Sequence, residues 1–197
     1  MTEQRSIVDL IRQRRTHKRF NGDAVSREQL QELVDLLCWA PNHRMTQPWR
    51  AYVLDQAAIQ DLGQWIKAER EGLLQFSAKP EKDRAKIDKL MDHYLSNLGA
   101  LIQVTQVISD DPNQNLEDYA AVCAGAQNML LGAEAMGLAH FWSTSALMAN
   151  PLLLQHLAID PQRERLVASL WLGGRCTDPI APPRQTSYTT WIGSPSP

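Results

Sequence analysis

The chain has 197 residues and a mass of 22.2 kDa, and 44% of its residues are hydrophobic, enough for one domain with a sizeable core. A domain of this length buries roughly 70% of its unfolded surface, which excludes a disordered chain or a disulfide-stapled miniprotein. Twenty Lys and Arg against 22 Asp and Glu leave a formal charge of −2 and a pI near 6.2, a poor fit to a dedicated nucleic-acid binder.

Cys38, Cys123 and Cys176 are odd in number and form no CxxC pair, which fits a reducing compartment better than a disulfide framework. Acids interrupt the N-terminal sequence MTEQRSIVDLIRQRR, so no export signal and a cytoplasmic location are expected. Residues 135–159 carry no charge and are long enough to span a bilayer. His140, Ser143, Thr144, Asn150, Pro151, Gln155 and His156 instead assign the stretch to a soluble interior, with no membrane partner.

The first helix is expected over Ser6–Arg15, with Ile7, Leu10 and Ile11 on one face. Asn21-Gly22 breaks the chain. Ser26 then reads as an N-cap with Gln29 as its capping-box partner. Leu30, Leu33, Val34 and Leu37 continue at helical spacing toward Trp39, and Pro41 stops the helix. Strands are expected at Arg50–Asp55, Leu101–Ile108 and Leu166–Leu172. Residues 67–93, dense in mixed charge, fit either a solvated helix pair or a mobile helical cover over a pocket. Leu116–Gly137 reads as a central buried helix, where Ala120, Ala124 and Gly125 permit close packing or line a subunit interface.

Beyond Gly173-Gly174 the composition changes, with Pro179, Pro182, Pro183, Pro195 and Pro197 crowding the end. Residues 176–197 are therefore a loose tail or an extended arm laid on something, and Tyr188, Trp191 and Ile192 favour the arm. No repeat or second domain is visible, so residues 1–197 are taken as one domain. The order helix–helix–strand–helices–strand–helix–helix–strand gives an α+β fold.

Several chemical devices are missing from the sequence. The ten glycines form neither GxGxxG nor a P-loop, and no GxSxG elbow is present. The five histidines never fall at HxH, HxxxH or HExxH spacing, which weakens a metal site. An enzyme built this way draws its reactivity from a bound organic cofactor.

Arg12, Arg14, Arg15, Lys18 and Arg19 place five cations within eight residues and no acid among them. A helix C-terminus favours cations through its dipole, which is the plainer explanation. The alternative is a phosphate held by Arg14 and Thr16, with Lys18 further along the same ligand. The segment Ala40-Pro41-Asn42-His43-Arg44-Met45-Thr46-Gln47-Pro48-Trp49 is either a rigid turn or, beside the basic cluster, a holder for a planar hydrogen-bonding ring.

Arg14-Arg15-Thr16-His17-Lys18-Arg19-Phe20 and the 40–49 loop together resemble the nitroreductase family of FMN-dependent oxidoreductases. Gly125-Ala126-Gln127-Asn128-Met129-Leu130-Leu131, Gly137-Leu138 through Trp142, and the strand ending Leu172-Gly173 are further matches, spanning about residues 6–184. The chain is most similar to a short branch with APNHR and W-x-[ST] elements. Ser145 stands where that branch often has glycine, and Arg175 where a proline is common.

The resemblance implies a homodimeric α+β sandwich with a central, mainly antiparallel sheet flanked by helices. It also implies a C-terminal arm exchanged with the partner subunit and FMN at the subunit interface. On this basis Arg14, Arg15 and Thr16 match the phosphate-binding segment, and Lys18 the cation beside the flavin N1–C2=O edge. Asn42, His43 and Gln47 match ring and ribityl contacts, and Trp142, Ser143 and Thr144 the segment facing the isoalloxazine. Arg184 resembles a late arginine that reaches the phosphate. His43 is expected to hydrogen-bond the flavin or the partner chain, and Trp39 either edges the cofactor pocket or packs in the core. The implied activity is ping-pong hydride transfer from NADH or NADPH through FMN to a nitroaromatic, quinone or similar small acceptor. A flavin-binding protein without turnover, serving storage, sensing or assembly, is the alternative.

Overall fold

A computed structural model describes residues 6–177, 179–180, 183–184 and 192. The first helix, α1 (Ile7–Gln13), starts at Ser6, whose hydroxyl accepts from the Asp9 N–H. At α2 (Arg27–Leu37) both halves of the expected Ser26–Gln29 capping box form. The first strand, β1 (Trp49–Leu54), ends at Asp55, and this aspartate caps α3 (Gln56–Ala68) by accepting from the Ala58 N–H. Two shorter helices, α4 (Arg70–Gln75) and α5 (Pro80–His93), lead to β2 (Ala100–Val107). The long helix α6 (Pro112–Ala135) then precedes β3 (Ala139–Ser143), α7 (Pro151–His156) and β4 (Glu164–Gly173).

The four strands pair in the order β1-β2-β4-β3, every pair antiparallel. Because side chains alternate across a strand, the sheet serves two cores. Ala100, Ile102 and Val104 of β2 join Leu170 and Leu172 of β4 in packing against α2 and α6. Leu101, Trp171 and Phe141 face the other way, toward α3, α4, α5 and α7. Seven of the eight residues of β2 are buried, as expected of a strand covered on both faces. The α+β sandwich expected from the sequence is therefore present. Exchange of the arm falls mostly on residues outside those described, Tyr188 and Trp191 among them.

Two expectations need correction. Residues 139–143 form a strand that the expected order lacked, while α7 supplies the second helix before β4. The close approach of α2 to α6 is not made by Ala120, which is exposed, or by the half-buried Ala124. It is made at Gly125, where an added Cβ would lie 2.6 Å from Leu37 Cδ1 and 2.7 Å from the Leu37 carbonyl oxygen. Gly125→Ala is expected to lower stability by about 1–3 kcal/mol in urea unfolding, although alanine is the better helix former. A stabilised variant would show that the two backbones separate at little cost.

Candidate functional site

The basic segment begins where α1 ends. Arg14 is the C-cap residue, and its N–H bonds the Leu10 carbonyl at 2.9 Å. Arg15 turns back on the helix, its Nη1 donating to the carbonyls of Arg12 (2.6 Å) and Arg14 (2.8 Å). One cation of the cluster thus serves the helix C-terminus, as the dipole argument requires. Arg14 is different. Burial lowers its pKa, and the neighbouring charges of Arg184 and Arg15 lower it further, against the opposing pull of Glu134. Arg14 thus has its sequence neighbour Arg15 and the sequence-distant Arg184 as like-charged neighbours, and such an arrangement is relieved by an anion with several oxygens. Thr16 and Lys18 are exposed beside them, and the Lys18 Nζ lies 6.0 Å from the centroid of the Phe141 ring.

His17 points inward instead. Its N–H donates to the His140 carbonyl at 2.8 Å, and its Nδ1 accepts from the His140 N–H at 3.5 Å. The His140 Nε2 lies 3.9 Å from Glu134 Oε2, while Arg175 Nη2 pairs with Glu134 Oε1 at 2.9 Å. A β-bridge between Phe20 and Arg175 completes the join. This buried cluster pins the basic segment to the ends of β3 and β4. Burial raises the Glu134 pKa, but the hydrogen bond and charge of Arg175, with the two histidines, bring it below its ordinary value. Burial pushes His140 down to about 4, so the ring is neutral at pH 7. His17, Glu134 and His140 bring potential metal-ligand atoms within 4.8 Å of one another, a grouping that local histidine spacing could not reveal. Arg175 already supplies the counter-charge that a metal ion would bring.

The 40–49 loop is braced from within. Asn42 accepts from the Gln47 N–H (2.7 Å) and donates to Thr46 Oγ1 (2.9 Å), and Thr46 donates to the buried Asp118 (2.5 Å). His43 pairs with Glu117 at 2.6 Å, so its hydrogen bond goes to its own chain. Arg44, Met45 and Gln47 all have positive φ (58°, 52° and 46°). Backbone in this region costs of order 1 kcal/mol or more per residue and persists where the surroundings enforce it, often at binding sites. Trp39 is 81% exposed, so the core alternative for it fails: α2 ends at Leu37, and the turn that follows breaks the helical spacing.

In β3, Trp142 rests against the α2–α6 core and its buried Nε1 has no hydrogen-bond partner among the described residues. Ser143 is buried, its hydroxyl accepting from the Ser145 N–H at 3.3 Å, and Thr144 is exposed. A cavity of about 180 Å³ opens here, between α5 and the β3–α7 connection, and reaches Ser143 and Ser145. Residues 67–93 thus contribute one wall of a pocket through α5. Ion pairs Arg70–Asp88 and Arg84–Glu71, both 2.6 Å, lace α4 to α5. Sequence reasoning missed Glu134, His140 and Arg175 as a unit, and also Glu117, Asp118, Lys86 and Lys89.

A two-core α+β sandwich that gathers guanidinium groups at the end of its first helix, near an aromatic-walled cavity, defines a class of small-molecule-binding domain suited to an anionic ligand. The Nitroreductase family model matches residues 11–174, and the chain belongs to that family. It is 26% identical over 175 residues to a Bacillus subtilis (strain 168) protein named "Putative NAD(P)H nitroreductase YfhC", covering 86% of this chain and 85% of that one. It is also 26% identical to the nitrobenzene nitroreductase of Ectopseudomonas oleovorans, covering 85% and 86%. Among solved structures, a nitroreductase-like family protein from Bacillus cereus superposes with a TM-score of 0.79 at 29% identity, over 94% of each chain. A nitroreductase with bound FMN from Bacteroides fragilis NCTC 9343 superposes at 0.69 and 16% identity, covering 93% and 95%, and so speaks to the fold alone. No helix among the described residues is long and apolar enough to cross a membrane.

Proposed function

We propose that the chain is an FMN-dependent oxidoreductase that carries hydride from NADH or NADPH to a nitroaromatic, quinone or similar acceptor in a ping-pong sequence. The observation that carries the reading is the half-buried Arg14 guanidinium at the end of α1, with Arg184 and Arg15 as like-charged neighbours, an arrangement that fits a phosphomonoester. The orphaned Trp142 Nε1 and the braced 40–49 loop add donors and a rigid edge suited to a planar polar ring. Arg14, Thr16 and Arg184 would hold the phosphate beside Arg15, which closes the helix end; Asn42, His43 and Gln47 would hold the ring and ribityl edge, and Lys18, Trp142, Ser143 and Thr144 the isoalloxazine side. Trp39, exposed on the single chain, would be covered by a partner subunit or by the cofactor edge.

When bound, FMN supplies the hydride chemistry. The protein's residues bind, orient and exclude water. For a nitro group the net first reduction consumes one NAD(P)H and one proton, and releases NAD(P)⁺, water and the nitroso product. The two-copy assembly has its own support in the outer face of α1, where Ile7 and Ile11 are 60% and 54% exposed. FMN is expected to bind the apoprotein roughly a hundredfold more tightly than riboflavin, since the phosphate adds one or more charge-assisted bonds of about 1.5–3 kcal/mol each. Equal affinities in a fluorescence titration would remove the phosphate site and the reading with it.

A further inference from the structure

The cavity beside β3 has a chemistry of its own. Its floor is apolar and its wall aromatic: Trp171 meets Tyr94 and Phe141 edge-on, at centroid distances of 5.0 and 5.5 Å. Such a wall prefers a flat, unsaturated ligand over a flexible one. The volume of about 180 Å³ accommodates a substituted single ring. Opposite this wall, Lys86 and Lys89 stand one turn apart on the same face of α5 and line the cavity. Lys86 pairs with Asp83 at 2.5 Å, whereas Lys89 makes no ion pair among the described residues. No carboxylate lines the cavity, and with Lys86 offset by Asp83, Lys89 is the lining cation without an ion pair among the described residues. Ser143 and Ser145 add two hydroxyls on the β3 side, and the Lys18 Nζ lies 6.0 Å from the centroid of the Phe141 ring.

Resting on the oxidoreductase reading above, we infer that this cavity is the acceptor site and that Lys86 and Lys89 select planar aromatic acceptors bearing a carboxylate or sulfonate. The ring lies against Phe141 and Trp171, and its anionic substituent is turned toward α5. The 67–93 segment then acts as the specificity wall of the pocket. Both lysines are largely in water, so the selection is salt-dependent and moderate in size.

The test uses the oxidised holoprotein without electron donor. Calorimetric titration with 4-nitrobenzoate and with its neutral analogue 4-nitrobenzamide reads binding directly, and in a separate assay with NADH or NADPH added, steady-state kcat/KM for the same pair reads turnover. The wild type is expected to favour the carboxylate roughly tenfold at low salt, with the preference falling as ionic strength rises. In the Lys86→Gln/Lys89→Gln double variant, the ratio of the two affinities is expected to fall toward one. Both substitutions lie at exposed helix positions, so the fold is retained. Equal affinities in the wild type, or an undiminished ratio in the double variant, would overturn the inference. It would also be overturned if 4-nitrobenzoate bound only the apoprotein and FMN displaced it. A holoprotein that binds both probes and reduces neither contradicts the oxidoreductase reading, while the titration still decides the charge selection.

Discussion

Arg14→Gln is expected to weaken FMN binding by roughly ten- to a hundredfold while making the cofactor-free protein more stable. The two signs follow from one arrangement. Arg14 is half-buried at the end of α1, and its charged form is disfavoured by burial, by Arg184 and by Arg15. Removing the guanidinium relieves that repulsion in the empty protein. With a phosphate present, the same change deletes a charge-assisted hydrogen bond of about 1.5–3 kcal/mol. Arg15→Gln is the control, because Arg15 donates to the carbonyls of Arg12 and Arg14 and so closes the helix end. Its loss is expected to cost stability more than affinity. Paired flavin titrations and thermal melts check both variants. If Arg14→Gln destabilises the apoprotein and leaves FMN affinity unchanged, Arg14 is a structural cap and the phosphate site lies elsewhere.

Stability is expected to fall by about 3 kcal/mol between pH 6.5 and pH 4 through His140 alone. Burial holds this imidazole neutral, with a pKa near 4 against 6.5 for the free side chain. The depressed value means that the unfolded chain takes up the proton first. The contribution is therefore fully present above pH 6.5 and is lost as pH falls toward 4, at about 1.4 kcal/mol per pH unit. The groups facing His140 are Glu134 from α6, His17 and Arg14 from the basic segment, and Arg175 beyond β4. Glu134, its own pKa lowered from 4.5, adds an acid loss that begins near pH 4.5, at the lower end of that range, and continues below it. Urea unfolding at half-unit intervals reads the slope, and His140→Asn is expected to flatten it. A wild type equally stable at pH 5 and pH 7 would show that the cluster admits the proton without strain.

What the sequence made legible was local. The Ser26–Gln29 capping box needs only three residues of separation, and it forms as expected. Three strands stood out because their apolar runs are short and bounded. Strand β3 was obscured because it lies inside the uncharged stretch 135–159 and has one face in each core. Its Trp142 packs with α6 and its Phe141 with α5 and Trp171, so no polar alternation marks it. Helix α3 went unread ahead of the 67–93 stretch, since Asp55 ends the strand and caps the helix at once. The basic cluster could be seen, but its division of labour could not: Arg15 serves the helix, His17 the buried cluster and Arg14 the outer face. Glu134, His140 and Arg175 come together only when α6, β3 and the end of β4 meet, and no spacing along the chain encodes that. Trp39 shows the opposite error, a periodicity extended two residues past the real end of its helix.

The purified protein's visible spectrum, followed without oxygen as NADH or NADPH is added, tests the central claim most directly. A bound flavin with the FMN spectrum is expected to bleach within the mixing time of a substoichiometric donor addition, and to recover on addition of a nitroaromatic or quinone. A flavin that stays oxidised under excess donor would contradict the oxidoreductase and favour a binding role. A protein that neither carries flavin nor takes up added FMN would contradict the site itself.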